Sequence, residues 1–192
     1  MKEMRNKHYY YFCKTLNEKI KSNILKFRKL NKISIIFYNL KPELNQIILS
    51  EISKFCKKHN ISLYIYNNYL LATKIKANGI YLDSKKRDFK HLSAIKLKFL
   101  GSAHNQREYH EKLKQKCSLI MLSPLFFNNK YSKNRILNPT KFSLMINSWK
   151  TEVGALGGIT EKNLNNLNNL KCQNVGVASL IEKPPCNLIQ GG

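Results

Sequence analysis

Val153-Gly154-Ala155-Leu156-Gly157-Gly158-Ile159-Thr160 is the stretch from which the rest of the chain can be read. An apolar run gives way to paired glycines and then to a residue type that caps helices, so a strand feeds a helix through a tight turn. Leu164, Leu167 and Leu170 continue the apolar line of that helix. The same unit recurs along the chain at intervals of roughly two dozen residues, the signature of βα units around a parallel sheet. The further β-branched or aromatic runs are Tyr9–Phe12, Ile33–Tyr38, Ser62–Tyr66, Gly79–Leu82, Leu97–Leu100, Leu119–Leu122 and Val175–Ala178. Most lack polar alternation, which suits strands buried on both faces. The inner wall of a barrel needs such strands, and an open doubly wound sheet is the alternative with the same rhythm.

The segments between the runs carry helix signals. Leu44, Ile47, Ile48, Ile52 and Phe55 hold one buried stripe behind Pro42, which a first turn tolerates. Asn138 before Pro139 reads as an N-cap, with Phe142, Met145, Ile146 and Trp149 on one face behind it. Between Leu82 and Leu92 the chain is short and basic, so that crossover is read as little more than a turn. Beyond Ala178 it runs quickly into Pro184, Pro185 and Gly191-Gly192, leaving no room for a full eighth helix. The expected fold is a small TIM (βα)8 barrel with a truncated C-terminal helix. It forms one domain over residues 1–192, with loose ends at 1–8 and 184–192, and a homo-oligomer that completes the barrel is left open.

The chain has 34 Lys and Arg against 11 Asp and Glu, a net charge of +23. That field attracts any polyanion, nucleic acid included. Lysines spread over the whole chain, together with abundant Asn, Ile, Tyr and Phe, are also what AT-rich codons produce, and no basic segment is interleaved with aromatics as a recognition motif. The five cysteines, Cys13, Cys56, Cys117, Cys172 and Cys186, form no C-x-x-C pair and share no ligand spacing with the five histidines, so reduced thiols and no zinc site are expected. No apolar run is long enough to span a bilayer and residues 1–14 lack the core of a signal peptide, so a cytoplasmic location with no membrane partner is expected.

In a βα barrel the residues that follow the strands build the active site. Gly157 and Gly158 either cradle a phosphate, offering bare backbone and a helix N-terminus, or make a tight turn with no ligand. Ser102, in Gly101-Ser102-Ala103-His104, is a candidate donor to a phosphate oxygen. His104 is an acid, a base or a helix-start residue. Ser123 opens Ser123-Pro124-Leu125-Phe126, and the long polar loop from Phe127 to Asn138 carries Lys130, Lys133 and Arg135, which suit an anionic substrate or a solvated face equally.

In order and spacing, Phe99-Leu100-Gly101-Ser102-Ala103-His104, Leu122-Ser123-Pro124-Leu125-Phe126, Ala155-Leu156-Gly157-Gly158-Ile159-Thr160 and Gly176-Val177-Ala178-Ser179 resemble the thiamine phosphate synthase and thiazole tautomerase superfamily of TIM barrels. Asn78-Gly79-Ile80-Tyr81-Leu82 resembles its strand-four segment, where a histidine commonly stands at the Tyr81 position. The resemblance covers most of residues 33–181.

It implies attack by the nitrogen of thiazole phosphate on the methylene of hydroxymethylpyrimidine diphosphate, with release of pyrophosphate. The phosphorylated pyrimidine and thiazole precursors are then the partners. By similarity, Gly157, Gly158 and the backbone around Ser179 hold the thiazole phosphate. Ser102 touches the diphosphate, and Lys130 is the loop lysine with Lys133 as the competing choice. Ser123 joins this set at the rim. Lys41 matches a basic position whose neighbouring arginine is here Asn39. The family's Mg²⁺ ligands, aspartates after strands three and four, correspond to Asn67 and approximately Lys86, with Asp83 nearby. An amide and an ammonium cannot replace them, so Lys86 is expected to supply charge directly. The tautomerase branch also lacks the metal pair, but its histidine after strand six corresponds to Pro124, so proton transfer would need His104 or another group. The readings follow in order: a synthase, then a tautomerase or non-catalytic precursor binder, then a basic nucleic-acid-binding barrel.

Overall fold

The computed structural model describes residues 7–38, 46–87, 96–127 and 132–182. Eight parallel strands close on themselves in chain order. They are β1 (His8–Cys13), β2 (Lys32–Phe37), β3 (Ser62–Tyr66), β4 (Gly79–Leu82), β5 (Lys98–Ala103), β6 (Leu119–Leu122), β7 (Glu152–Leu156) and β8 (Asn174–Val177). Following the paired residues once round the sheet returns the register to β1 displaced by eight residues, the stagger of a TIM barrel. The open sheet is thereby excluded. All eight strands fall where the apolar runs lie, and the largest boundary difference is at β5, which continues through Ala103 and takes Gly101, Ser102 and Ala103 out of the loop.

Around the strands lie α1 (Glu18–Arg28), α2 (Gln46–Lys58), α3 (Tyr69–Lys74), α4 (Gln106–Lys114), α5 (Asn138–Ile146) and α6 (Ser179–Glu182). Asparagine starts several of them. Asn17, Asn68 and Asn105 each accept a backbone N–H three residues on, at 2.9, 2.9 and 3.0 Å. Asn138 does the same for Lys141 at 3.1 Å, with a left-handed backbone (φ 51°), so it caps α5 as its sequence suggests. Trp149, expected on the same helix, lies beyond its end and stacks on Tyr109 of α4 at 3.9 Å. The helix expected after Thr160 is a 3₁₀ segment, Glu161–Leu167, in which Leu164 and Leu167 are buried as their spacing predicts. In α6 the C-terminal helix is described over four residues.

The register divides the core in two. Outward residues of the strands pack with the helices, as Tyr9 does against Phe27 of α1, ring centroids 4.9 Å apart. Inward residues fill the barrel: Tyr10, Ile36, Tyr64, Tyr81, Leu100, Leu119 and Met121 form a separate cluster, joined by Phe12, Tyr66 and Leu156. Cys13, Cys56, Cys117 and Cys172 are buried free thiols, while Cys186 lies outside the described residues. Burial pushes the first three up to about 12, so they are inert at neutral pH. No helix among the described residues is long and apolar enough to cross a membrane.

Two residues of the N-terminal stretch expected to be loose are held. Lys7 is buried and donates to the carbonyl of Cys172 at 3.0 Å, and His8 enters β1. The His8 ring stacks on Tyr10 at 4.3 Å, with Nε2 2.8 Å from Ser34 Oγ. Burial, and secondarily the charge of Lys32, bring its pKa down from 6.5 to about 4. The unfolded chain therefore binds more protons than the native one between pH 6.5 and about 4. The contribution of His8 to stability is full above pH 6.5 and declines as pH falls through that window. Urea midpoints should drop over this range, and His8→Gln should flatten the profile; parallel profiles for the two proteins would refute the assignment.

Candidate active site

The strand ends that the register aims inward define one rim at the C-terminal face of the barrel. On β5, Ser102 shares the inward parity of Leu100 and is buried, while its neighbour Ala103 packs outward. His104 follows directly. Its N–H donates to Glu108 Oε2 at 2.7 Å, and Nδ1 stands 2.7 Å from the carbonyl oxygen of Ser123 and 3.1 Å from Ser123 Oγ. A carbonyl can only accept, so Nδ1 carries a proton and donates it to Ser123 O. Ser102, His104 and Ser123 thus stand together at the ends of β5 and β6.

The loops after β6 and β7 are stitched backbone to backbone. Leu125 N donates to Leu156 O at 2.9 Å and Phe126 N to Gly157 O at 3.0 Å. Gly158 has a φ of 69°, and a Cβ there would stand 2.3 Å from Phe126 O and 2.7 Å from Phe127 O. Gly158 is therefore required by the turn itself, whatever it also binds. Asn163 Nδ2 fastens the far side by donating to Gly158 O at 2.8 Å. From β8, Ser179 Oγ reaches Ile159 O at 3.5 Å, so the turns after β7 and β8 adjoin. Among the described residues, the backbone N–H groups of Gly158, Ser179 and Leu180 have no backbone acceptor.

After β4, Asp83 is the next inward position beyond Tyr81. Its Oδ2 accepts the hydroxyl of Tyr66 at 2.8 Å, and its Oδ1 accepts the N–H groups of Lys85 and Lys86 at 3.1 and 2.8 Å. Burial alone would raise the carboxyl pKa, but the hydrogen bonds from Tyr66, Asn67 and these N–H groups hold it below the usual value. Lys86 is exposed, and its carbonyl accepts from Lys112 Nζ at 2.8 Å and Gln115 Nε2 at 2.9 Å. Lys112 is completely buried against the outer face of β5, so a desolvated ammonium on α4 anchors the turn after β4.

Of the predicted residues, Ser102 lies near the end of β5, and His104, Ser123, Gly157, Gly158, Ser179 and Lys86 follow the strand ends of the same face. Lys133 is exposed in a 3₁₀ turn, Lys133–Arg135. Lys41, Asn39 and Lys130 lie outside the described residues. Sequence reasoning missed the aromatic wall on the β1–β4 side, formed by Phe12, Tyr38, Tyr66 and Tyr81. It also missed the part played by Lys112. The wall had a signal in β3, where Tyr64 and Tyr66 alternate with Leu63 and Ile65, whereas Tyr9–Phe12 is aromatic throughout and gives no alternation.

The sequence profile of a family described as thiamine monophosphate synthase matches residues 11–181. The chain belongs to that family. Curated protein sequences give no match. Among solved structures, the fold resembles thiamine phosphate pyrophosphorylase from Pyrococcus furiosus, with a TM-score of 0.72 at 15% identity, covering 93% of this chain and 88% of that one. It also resembles the thiamine phosphate pyrophosphorylase of Bacteroides thetaiotaomicron, with a TM-score of 0.61 at 19% identity over 96% and 89% of the two chains. The 2-keto-3-deoxy-6-phospho-gluconate aldolase of Zymomonas mobilis scores 0.69 at 16% identity over 98% and 91%. At these identities the structures share the fold and nothing finer, and the aldolase among them shows how general that fold is.

The Mg²⁺ that the thiamine monophosphate synthase family implies does not fit the donors present. Asn67 already spends its amide oxygen on the N–H of Asp83, at 3.0 Å, and Lys86 is a cation. Asp83 is the one carboxylate among the described residues of this turn, and its oxygens already accept from Tyr66, Lys85 and Lys86. No group of three His, Cys, Asp or Glu side chains among the described residues could hold a metal ion. Hard divalent cations need several oxygen ligands, and this turn offers too few.

A variant at Gly158 tests the fold before it tests a ligand. Gly158→Ala should cost about 1–3 kcal/mol in chemical denaturation, from the left-handed φ and the clash with the Phe126–Phe127 backbone. An unchanged midpoint would mean that the turn can move aside.

Proposed function

We propose that this chain joins hydroxymethylpyrimidine diphosphate to thiazole phosphate and releases pyrophosphate, without a carboxylate-held metal. What carries the reading is the convergence, in a member of this family, of Ser102, His104 and Ser123 with the Gly157-Gly158 turn and Ser179 on one rim. The thiazole nitrogen donates its lone pair to the pyrimidine methylene, the C–O bond to the diphosphate breaks, and the bonding pair leaves with pyrophosphate. A thiazolium cation results.

Such a step is governed by charge, because the leaving group gathers negative charge while the methylene becomes positive. The N–H groups of Gly158, Ser179 and Leu180 suit the phosphate of the thiazole. Ser102 and the cations Lys86, Lys130, Lys133 and Lys41 are the groups assigned to the diphosphate, with Lys130 taken as the loop lysine in contact with it. His104, with its proton fixed on Nδ1, orders the rim through Ser123 and offers Nε2 as a base. The protein would do this work in the cytoplasm.

The replaced metal ligands favour a second reading, in which the chain isomerises thiazole phosphate or binds thiamine precursors without turnover. His104 would then be the proton carrier, since Pro124 stands at the tautomerase histidine position.

Incubation with both phosphorylated precursors, with chelator or with Mg²⁺, separates these readings through the appearance of thiamine phosphate and pyrophosphate. Product should form in the presence of chelator, and Ser102→Ala should lower kcat by about 10²-fold. Strict dependence on Mg²⁺ would overturn the metal-free assignment. Precursor binding without product would establish the second reading.

A further inference from the structure

The face opposite the mouth, where helices end and strands begin, carries charge of nearly one sign. Each of strands β2 to β8 is entered past an exposed cation: Lys32, Lys58, Lys76, Lys98, Lys116, Lys150 and Lys171. Because the strands close in chain order, these lysines ring the base of the barrel. Acids lie mostly elsewhere. Glu18, Glu108 and Glu161 occupy first turns at the mouth end, and Glu152, at the start of β7, is the acid that the described residues place on the base. The ion pairs among the described residues, Lys21–Glu18, Arg87–Glu111 and Arg107–Glu111, involve none of the seven lysines. A helix dipole favours a cation in its last turn, which accounts for Lys58. It does not account for Lys32 and Lys98, which begin strands. Lys76 and Lys116 stand in left-handed backbone, with φ of 52° and 57°, a conformation that asparagine takes more readily, as Asn60 does after α2. The charge of Lys32 acts on the wall beside it, adding to burial in lowering the pKa of His8.

We propose that this base is a docking surface for double-helical nucleic acid, held by its phosphate backbone with no reading of sequence. Cations at seven neighbouring strand entries can meet several phosphates at once, and each such contact releases counterions from the duplex. A small anion engages too few of them to gain as much. The face lacks what other polyanionic partners require. Single strands are held by aromatic rings on which bases stack, and membranes by apolar side chains that enter the lipid beside the cations. Of the exposed large apolar side chains described, Ile47, Ile48, Tyr69 and Leu70 begin α2 and α3 and Phe127 follows β6, all toward the mouth, so that Leu144 in α5 is the one near the base. A second copy of the chain would bring the same charge of +23 and be repelled. The surface makes no use of the mouth, and it stands apart from the proposed reaction.

Fluorescence anisotropy of labelled RNA and DNA duplexes of mixed sequence tests this with the full chain at about 0.15 M salt. The chain should bind, and its affinity should fall steeply as salt is raised. Two triple variants of equal net charge separate the surface from the overall charge. Lys58→Glu, Lys76→Glu and Lys116→Glu together should weaken binding at least about tenfold and flatten the salt dependence, whereas Lys19→Glu, Lys141→Glu and Lys162→Glu, in first turns at the mouth end, should cost less than about threefold. Circular dichroism checks that both variants fold. If the first does not, the same three lysines changed to Gln should show a smaller loss that still exceeds that of Gln at the three mouth positions. Equal losses in the two triples, no duplex binding by the unmodified chain, tighter binding of single strands than of duplexes, or binding only to vesicles of phosphatidylglycerol each overturn the proposal. A preference between the RNA and DNA duplexes supports it and identifies which helix the surface fits.

Discussion

Closure is the constraint on which everything else in this molecule depends. β1 must hydrogen-bond to β2 and β8 at once, so the strands cannot splay and each residue's inward or outward sense is fixed by its place in the register. Large inward rings are accommodated by bare neighbours. Tyr64 faces Gly79, where a Cβ would come within 2.9 Å of the ring, and Phe12 lies over Gly176, where the separation would be 3.1 Å. The interior is a packed core whose upper edge carries polar side chains. Any side chain that continues the inward parity one step beyond its strand enters the mouth, as Asp83 does after β4 and His104 after β5.

The mouth is shaped by tethers that lie outside it. The turn after β4 is drawn toward α4 by Lys112, whose ammonium is bonded to Lys86 O and Gln115 Oε1. Burial lowers its pKa, and the carbonyl, the side-chain amide and nearby acidic groups make its desolvation tolerable. The same turn delivers two N–H groups to Asp83 Oδ1. Position and charge state of the carboxylate thus have a common origin, since the contacts that orient Asp83 also keep it ionised. On the opposite side the turn after β7 is fixed by the backbone of the β6 loop, so the two halves of the rim are rigid for different reasons.

The fold was legible in the sequence because a parallel barrel strand is buried on both faces and declares itself as an apolar run. Val153–Leu156 followed by two glycines and a threonine could be read from four or five residues. The end of β5 was harder. Gly101, Ser102 and Ala103 resemble loop residues, and only pairing with β6 makes them strand, because small residues are what a crowded barrel wall admits. Thr160 promised an α-helix and delivered a 3₁₀ segment with Leu164 and Leu167 buried, a difference that local propensity does not encode. The aromatic wall was hidden for another reason. Tyr38, Tyr66 and Tyr81 are far apart in sequence and come together only through register, and the abundance of tyrosine looked like a trait of composition. Asparagine was masked in the same way, although Asn17, Asn68 and Asn105 cap helices and Asn60, Asn67 and Asn138 occupy left-handed positions in a chain with only 8 glycines.

The same distinction between composition and position bears on the net charge of +23. A charge spread over the whole surface raises the encounter rate with any anion, but at about 0.1 M salt it is screened within roughly 10 Å. It cannot tell a diphosphate from nucleic acid. Discrimination has to come from groups in contact with the ligand, and the barrel places different kinds on its two sides: backbone N–H groups on the β7–β8 side, and stacked rings with one carboxylate on the β3–β4 side. On the second side an anion is repelled by Asp83 and can gain only from cations that flank the rings, such as Lys86. Asp83 is therefore a local negative charge in a globally positive protein, and the hydrogen bonds of its own turn keep it ionised.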